Sequence, residues 1–128
     1  LTRSRDQHLS ADKRRDLAAR CGWDWHPTTP DVQGGDLLVN VTPIGMAGGA
    51  EEHDLAFTPG QIARAGTVFD VVALPSETPL IVEARRQGKP VVTGLEVVAL
   101  QALEQFVLYT GVRPSDEQVQ AAVEFART

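Results

Sequence analysis

Three short apolar runs constrain this chain more than any other feature: Leu37-Leu38-Val39-Asn40-Val41, Val68-Phe69-Asp70-Val71-Val72 and Pro90-Val91-Val92. Each is β-branched or aromatic and bounded by turn residues. Their apolar character is continuous rather than alternating, which predicts strands covered on both faces, as in a parallel sheet. Helical grammar fills the intervals. Residues 11–21 read as a helix, with Ser10 as N-cap and Gly22 just past the end. Residues 59–65 read as a short helix, capped by Thr58, opened by Pro59 and ended by Gly66. Residues 79–87 repeat that pattern with Thr78, Pro79 and Gly88, and Leu80, Ile81 and Ala84 share one face. The order helix, strand, helix, strand, helix, strand predicts a doubly wound α/β fold with right-handed crossovers.

After Gly94 the pattern changes. Residues 96–109 read as a longer helix, and Ser115 with Gln118 forms a capping box before a last helix reaching residue 127. The predicted organisation is a partial Rossmann-like domain over residues 1–93 and a helix pair over 94–128. At 128 residues the chain is the size of one ordinary domain, and 42% hydrophobic residues suffice for a buried core. A net charge of −5 argues against a broad electrostatic grip on nucleic acid or an anionic membrane. No apolar run approaches the roughly 20 residues needed to span a bilayer. Cys21 is the one cysteine and can make no internal disulfide, which is compatible with a reducing cytoplasm. It is expected to be a buried helix residue. The opening Leu1-Thr2-Arg3-Ser4, without Met, reads as the interior of a longer chain.

Open α/β sheets bind ligands at the carboxyl ends of their strands. Those ends are Asn40-Val41-Thr42-Pro43, Val72-Ala73-Leu74-Pro75 and Thr93-Gly94. The strand, Gly-rich turn and helix that open a nucleotide-binding half have no counterpart here; Gly34-Gly35 and Gly48-Gly49 lack the spacing and context. Arg3 and Arg5 stand where the second strand of such a unit would deliver a residue to a 2′-phosphate, or else are solvated arginines at a terminus. His8, His26 and His53 are scattered without metal-ligand spacing. Asp70, inside an apolar strand, must find donors and reads as a structural cap rather than a base. Lys13 and Lys89 read as surface lysines.

Residues 36–46, with Asn40, Thr42, Pro43, Gly45 and Met46, resemble the signature D-L-[LI]-[IV]-N-x-T-P-x-G-M of the shikimate dehydrogenases. Three further blocks resemble that family in the same order: Val68-Phe69-Asp70-Val71-Val72 through Thr78-Pro79-Leu80, Gly94-Leu95 through Gln101, and Phe106-Val107-Leu108-Tyr109-Thr110-Gly111. Leu1-Thr2-Arg3-Ser4 resembles its N-R-T segment, with Thr2 for Asn and Ser4 for Thr. The stretch 48–57 and Arg113-Pro114-Ser115-Asp116 look most like the shikimate dehydrogenase-like branch, which acts poorly on shikimate.

The resemblance implies a chain about twice this length, and an NADP-dependent hydride transfer on a ring alcohol or ketone. The substrate implied is a small polyhydroxy carboxylate. The catalytic Lys–Asp pair of the family has no match here, so no catalytic residue is assigned. It implies cofactor contacts from Arg3 and Ser4 to the 2′-phosphate, from Asn40, Val41 and Thr42 near ribose and pyrophosphate, and from the backbone carbonyls of Val71 and Gly94 to the carboxamide. Gln101 would touch substrate, and the helices after Gly94 would pack towards a substrate domain. Ala73 stands where the family often has Tyr, and Glu96 and Val97 depart from G-L-G-M; both weaken the case for shikimate itself. Assembly is left open, a homodimer included. The competing reading is a non-catalytic Rossmann-like module that binds a metabolite or a protein.

Overall fold

The computed structural model describes residues 2–3, 11–27 and 31–126. Its elements are β1 (Thr2–Arg3), α1 (Ala11–Arg20), β2 (Leu37–Asn40), α2 (Pro59–Arg64), β3 (Thr67–Asp70), α3 (Pro79–Arg86), β4 (Val91–Val92), α4 (Gly94–Thr110) and α5 (Asp116–Ala126). The strands form one parallel sheet in the order β1-β2-β3-β4. This is the expected partial Rossmann-type α/β sheet followed by a C-terminal helix pair. Ser10, the predicted cap of α1, lies outside the described residues.

Helix starts follow their local chemistry. Thr58 and Gln61 form a reciprocal capping box at α2, and Thr78 accepts from the Ile81 amide at α3. Ser115 and Gln118 exchange bonds ahead of α5 as predicted, at 3.0 and 3.3 Å. α4 begins two residues earlier than predicted. The reason is a second box: the Glu96 carboxylate accepts from the Thr93 amide at 2.7 Å while Thr93 Oγ1 accepts from the Glu96 amide. At the other end of α1, Gly22 adopts φ +70° and the Trp23 amide donates to Ala18 O at 2.9 Å, a left-handed stop. The helix therefore ends at Arg20, and Cys21 falls in the terminating turn. Cys21 is exposed, not buried as expected, because α1 buries none of its side chains.

The register places Leu38 beside Val68 and Val68 beside Val91, all on one face. Against that face pack Ile62 of α2, Leu80 and Ala84 of α3, and Ile44 and Phe57 from the loop between β2 and α2. Leu38, Ile62 and Val68 are fully buried, each side chain contributing about 1.5–3 kcal/mol by leaving water. The opposite face carries Leu37, Val39, Phe69 and Val92. Leu37 is 48% exposed and Val92 38%. The expectation of two covered faces therefore holds on one face only among the described residues.

Lys89, read as a surface lysine, lies partly exposed and has a bonding role as well. Its ammonium donates to Ala63 O at 2.6 Å and Ala65 O at 2.9 Å, closing the carboxyl end of α2. Beyond the sheet, α4 is apolar nearly all round. Leu95, Ala99, Leu103 and Phe106 share with Val119 and Val123 of α5 a groove of about 520 Å³. Leu100, Leu108 and Tyr109 stand exposed elsewhere on α4. An all-round apolar helix is ordinarily an interior one.

Candidate functional site

Parallel pairing brings the carboxyl ends of the strands to one edge. Arg3 is the register partner of Asn40, Asn40 of Asp70, and Phe69 of Val92. The loop after β2 reaches the loop after β3, where the Ala47 amide donates to Leu74 O at 3.0 Å. Gly45 turns at φ +88°, with the Thr78 side chain and the Pro79 ring about its Cα.

The polar side chains of this edge face inward. Asn40, Thr42, Asp70, Thr78 and Thr93 are all buried. Asn40 donates one amide hydrogen to Ile44 O at 3.2 Å and the other to Asp70 Oδ1 at 3.0 Å. Its carbonyl accepts from the Thr42 amide at 3.0 Å and the Thr42 hydroxyl at 2.6 Å. All four of its bonding positions are filled. Asp70 accepts further from the Val72 amide at 3.1 Å and the Thr78 hydroxyl at 2.6 Å. Burial pushes the Asp70 carboxyl above its ordinary range, against the pull of the bonds from Thr78, Val72 and Asn40. The apolar side chains turn outward instead: Val41, Met46, Val71 and Leu74 are all exposed.

Val71 and Gly94 are neighbours. A Cβ placed on Gly94 would lie 2.5 Å from Val71 O and 2.4 Å from Val72 O, so only glycine lets the first turn of α4 sit against the tip of β3. The N-terminus of α4 is closed by its own Glu96 carboxylate, where an anion would otherwise be received. Gln101 is exposed on α4 and lies outside the groove shared with α5. Of Arg3 only the backbone is described, and Ser4 lies outside the described residues. The structure thus brings Arg3, Asn40, Val41, Thr42, Val71 and Gly94 to one edge and sets Gln101 two turns along α4.

Sequence reasoning missed the bond between Asn40 and Asp70. Its signal is one polar residue near the end of each of two apolar runs; in the structure both are the last residues of their strands. Among the described residues no group of three His, Cys, Asp or Glu could hold a metal ion, and no helix is long and apolar enough to cross a membrane.

A parallel sheet built with helical crossovers, its strand ends gathered at one edge, places the chain in the Rossmann-type class of α/β proteins. No family model matches the chain. It is 56% identical over 112 residues to a shikimate dehydrogenase-like protein of Haemophilus influenzae, covering 88% of this chain and 41% of that one. The solved structure of a shikimate 5-dehydrogenase-like protein superposes with a TM-score of 0.85 at 50% identity, over 91% of this chain and 43% of that chain. Shikimate 5-dehydrogenase from Thermus thermophilus, in complex with NADP(H) and shikimate, superposes with a TM-score of 0.70 at 26% identity, over 90% and 42%. The chain belongs to the shikimate dehydrogenase family, and it spans about two fifths of the length of these relatives.

Proposed function

We propose that this chain is the cofactor-binding portion of a cytoplasmic NADP-dependent oxidoreductase that moves a hydride between NADP(H) and a ring alcohol or ketone. The reading is carried by one observation: the residues matching the family's cofactor blocks lie along a single strand edge in a fold shared with a relative solved with NADP(H) and shikimate. A bound nicotinamide supplies the hydride. Val41 and Val71, turned outward, suit an apolar ring and keep water from it. The carbonyls of Val71 and Gly94 offer acceptors for the carboxamide. Asn40 and Thr42 have spent their side chains inward, so their part in holding the cofactor falls to backbone groups. Arg3 receives the 2′-phosphate together with Ser4, and Gln101 meets a hydroxyl of a small polyhydroxy carboxylate.

In this reading residues 1–93 form the NADP-binding part. Residues 94–128 pack α4 towards a substrate domain, which explains exposed Leu100, Leu108 and Tyr109 on an apolar helix. The test is titration of NADPH and NADH into the protein at its natural length, with Arg3→Ala beside it. We expect NADPH to bind at least tenfold more tightly than NADH, and Arg3→Ala to erase most of that preference. Equal affinities in the parent refute the NADP assignment. Gln101→Ala is expected to raise the KM of the true ring substrate with kcat less affected.

A second reading, a non-catalytic metabolite-binding or interaction module, draws on the same edge: its buried carboxylate, Asp70, is committed to structure. NADPH binding without hydride transfer to shikimate, quinate or related ring acids would favour it.

A further inference from the structure

Two turns at the strand edge share one construction. In the first, Asn40 Oδ1 accepts from the amide two residues on, Thr42, and Val41 projects between them. In the second, Asp70 Oδ1 accepts from the amide two residues on, Val72, and Val71 projects between them. Asn40 and Asp70 are register partners, and the bond from Asn40 Nδ2 to Asp70 Oδ1 joins the turns side by side. The Val71 amide continues the ladder to Asn40 O at 3.1 Å. The second oxygen of Asp70 takes the hydroxyl of Thr78, whose Oγ1 in turn caps α3. Val41 and Val71 are thereby fixed as an exposed pair, 44% and 40% accessible, above a fully buried polar layer.

The chemistry of Asp70 is costly for a purely packing role. The Asn40 amide and the Val72 N–H can only donate to it, and the Thr78 hydroxyl stands where it can donate as well, so the layer surrounds a carboxyl with donors. No described basic side chain bonds it, and burial disfavours the charge. A well-packed apolar residue would often serve stability as well or better. What an apolar residue cannot do is hold three donors, one at the end of β2 and two in the connection from β3 to α3, at fixed angles.

Resting on the cofactor reading above, we infer that Asp70 is a positioning residue for the reaction: through Asn40, Val72 and Thr78 it sets the paired turns that present Val41 and Val71 to the nicotinamide end of the cofactor. It touches no reacting atom and acts through backbone placement. The inference separates two substitutions that burial alone would not. In Asp70→Asn the amide carbonyl still accepts from Asn40 and Val72, so both turns persist and only the Thr78 link is reversed. In Asp70→Ala all three donors lose their partner.

The experiment measures NADPH affinity and steady-state kinetics on the protein at its natural length, with thermal melts to confirm folding. We expect Asp70→Ala to weaken NADPH binding at least tenfold while Asp70→Asn stays within threefold of the parent. Where the alanine variant shows no cooperative melt, Asp70→Ser replaces it, keeping the Val72 bond but reaching neither Asn40 nor Thr78, with the same tenfold loss expected. Parental binding in the alanine or serine variant overturns the proposal. So does an equal loss in the asparagine variant, because that would make the charge rather than the turns decisive. Failure of both alanine and serine variants to fold assigns Asp70 to folding and also overturns it. A parent that does not bind NADPH refutes the cofactor reading itself, and the proposal with it.

Discussion

Gly94→Ala tests how closely the start of α4 depends on the tip of β3. Taken locally, the change should help. Gly94 is the first residue of a 17-residue helix and none of its conformation requires a positive φ, so alanine would gain up to about 1 kcal/mol of helix preference. The surroundings reverse the sign. The new Cβ would lie 2.4 Å from Val72 O and 2.5 Å from both Val71 O and Val72 C. Ordinary contact lies at about 3.5 Å, so the helix start or the strand tip must yield by about 1 Å. Neither is free to do so. The Val72 amide is bonded to Asp70, the Val71 amide to Asn40 O, and Thr93 is locked to Glu96.

Overpacking of this kind costs about 1–3 kcal/mol, and three backbone contacts place it at the upper end. Set against the helix gain, a net loss of about 2 kcal/mol remains, or a fall in Tm of about 8 °C for a domain of this size. Denaturant titration and thermal melts measure both. Gly60→Ala is the internal control: it lies in α2 with nothing within 4 Å of its would-be Cβ, and it should be neutral or slightly stabilising. If Gly94→Ala matches the parent, or moves with Gly60→Ala, the close approach of α4 to the strand tip is refuted.

Two further outcomes follow from single side chains. Lys89→Met keeps the stem but leaves Ala63 O and Ala65 O without their donor, and should cost about 1–2 kcal/mol in a denaturant titration; no change would return Lys89 to a free surface role. Arg86 beside Glu83, with help from Gln87, holds the Glu83 carboxyl down at about 2 against an ordinary 4.5. A lowered carboxyl contributes stability above its unfolded value and loses it as the pH falls through its folded one. Melts from pH 4.5 to about 2 should therefore fall less steeply in Glu83→Gln than in the parent, and parallel curves would refute the pairing.

Much of the fold is legible from residues near one another in the chain. Thr58-Pro59 and Thr78-Pro79 announce helices because capping chemistry spans three residues, and the apolar runs announce strands because their boundaries are turn formers. Most of the misses are matters of distance. The Lys89 ammonium reaches across 24 and 26 residues to its carbonyls. Asn40 meets Asp70 across 30. Continuous apolar strands imply two covered faces, yet cover for the second depends on what else packs there, and α1 buries no side chain. The Thr93 and Glu96 box is the local exception: Glu96 departs from the family pattern, which points to the ligand and hides the helix that the same residue starts.

The candidate site repeats that division between near and far. Pattern alone marks Asn40 and Thr42 as polar residues at a strand end, where a ligand is expected. Only the fold shows that every polar atom on the Asn40 side chain is already bonded within the protein. The same inward bonds that withdraw these side chains leave Val41 and Val71 outside them, and an apolar surface anchored by a buried polar layer is rigid in a way that an exposed polar loop is not. On the proposed cofactor reading, a ring held still for hydride transfer would gain more from that rigidity than from one added hydrogen bond, since a misplacement of about 1 Å can cost about a hundredfold in rate. Asn40→Leu puts the point in its sharpest form. It places an apolar side chain of similar size at the strand end, where pattern would allow it, yet leaves the Thr42 amide and hydroxyl without an acceptor and Asp70 without one of its donors. Ile44 O loses its donor as well, and at about 1–3 kcal/mol for each buried group left unpaired the expected loss in a denaturant titration is at least about 3 kcal/mol; a variant as stable as the parent would show that the buried layer does not anchor the edge.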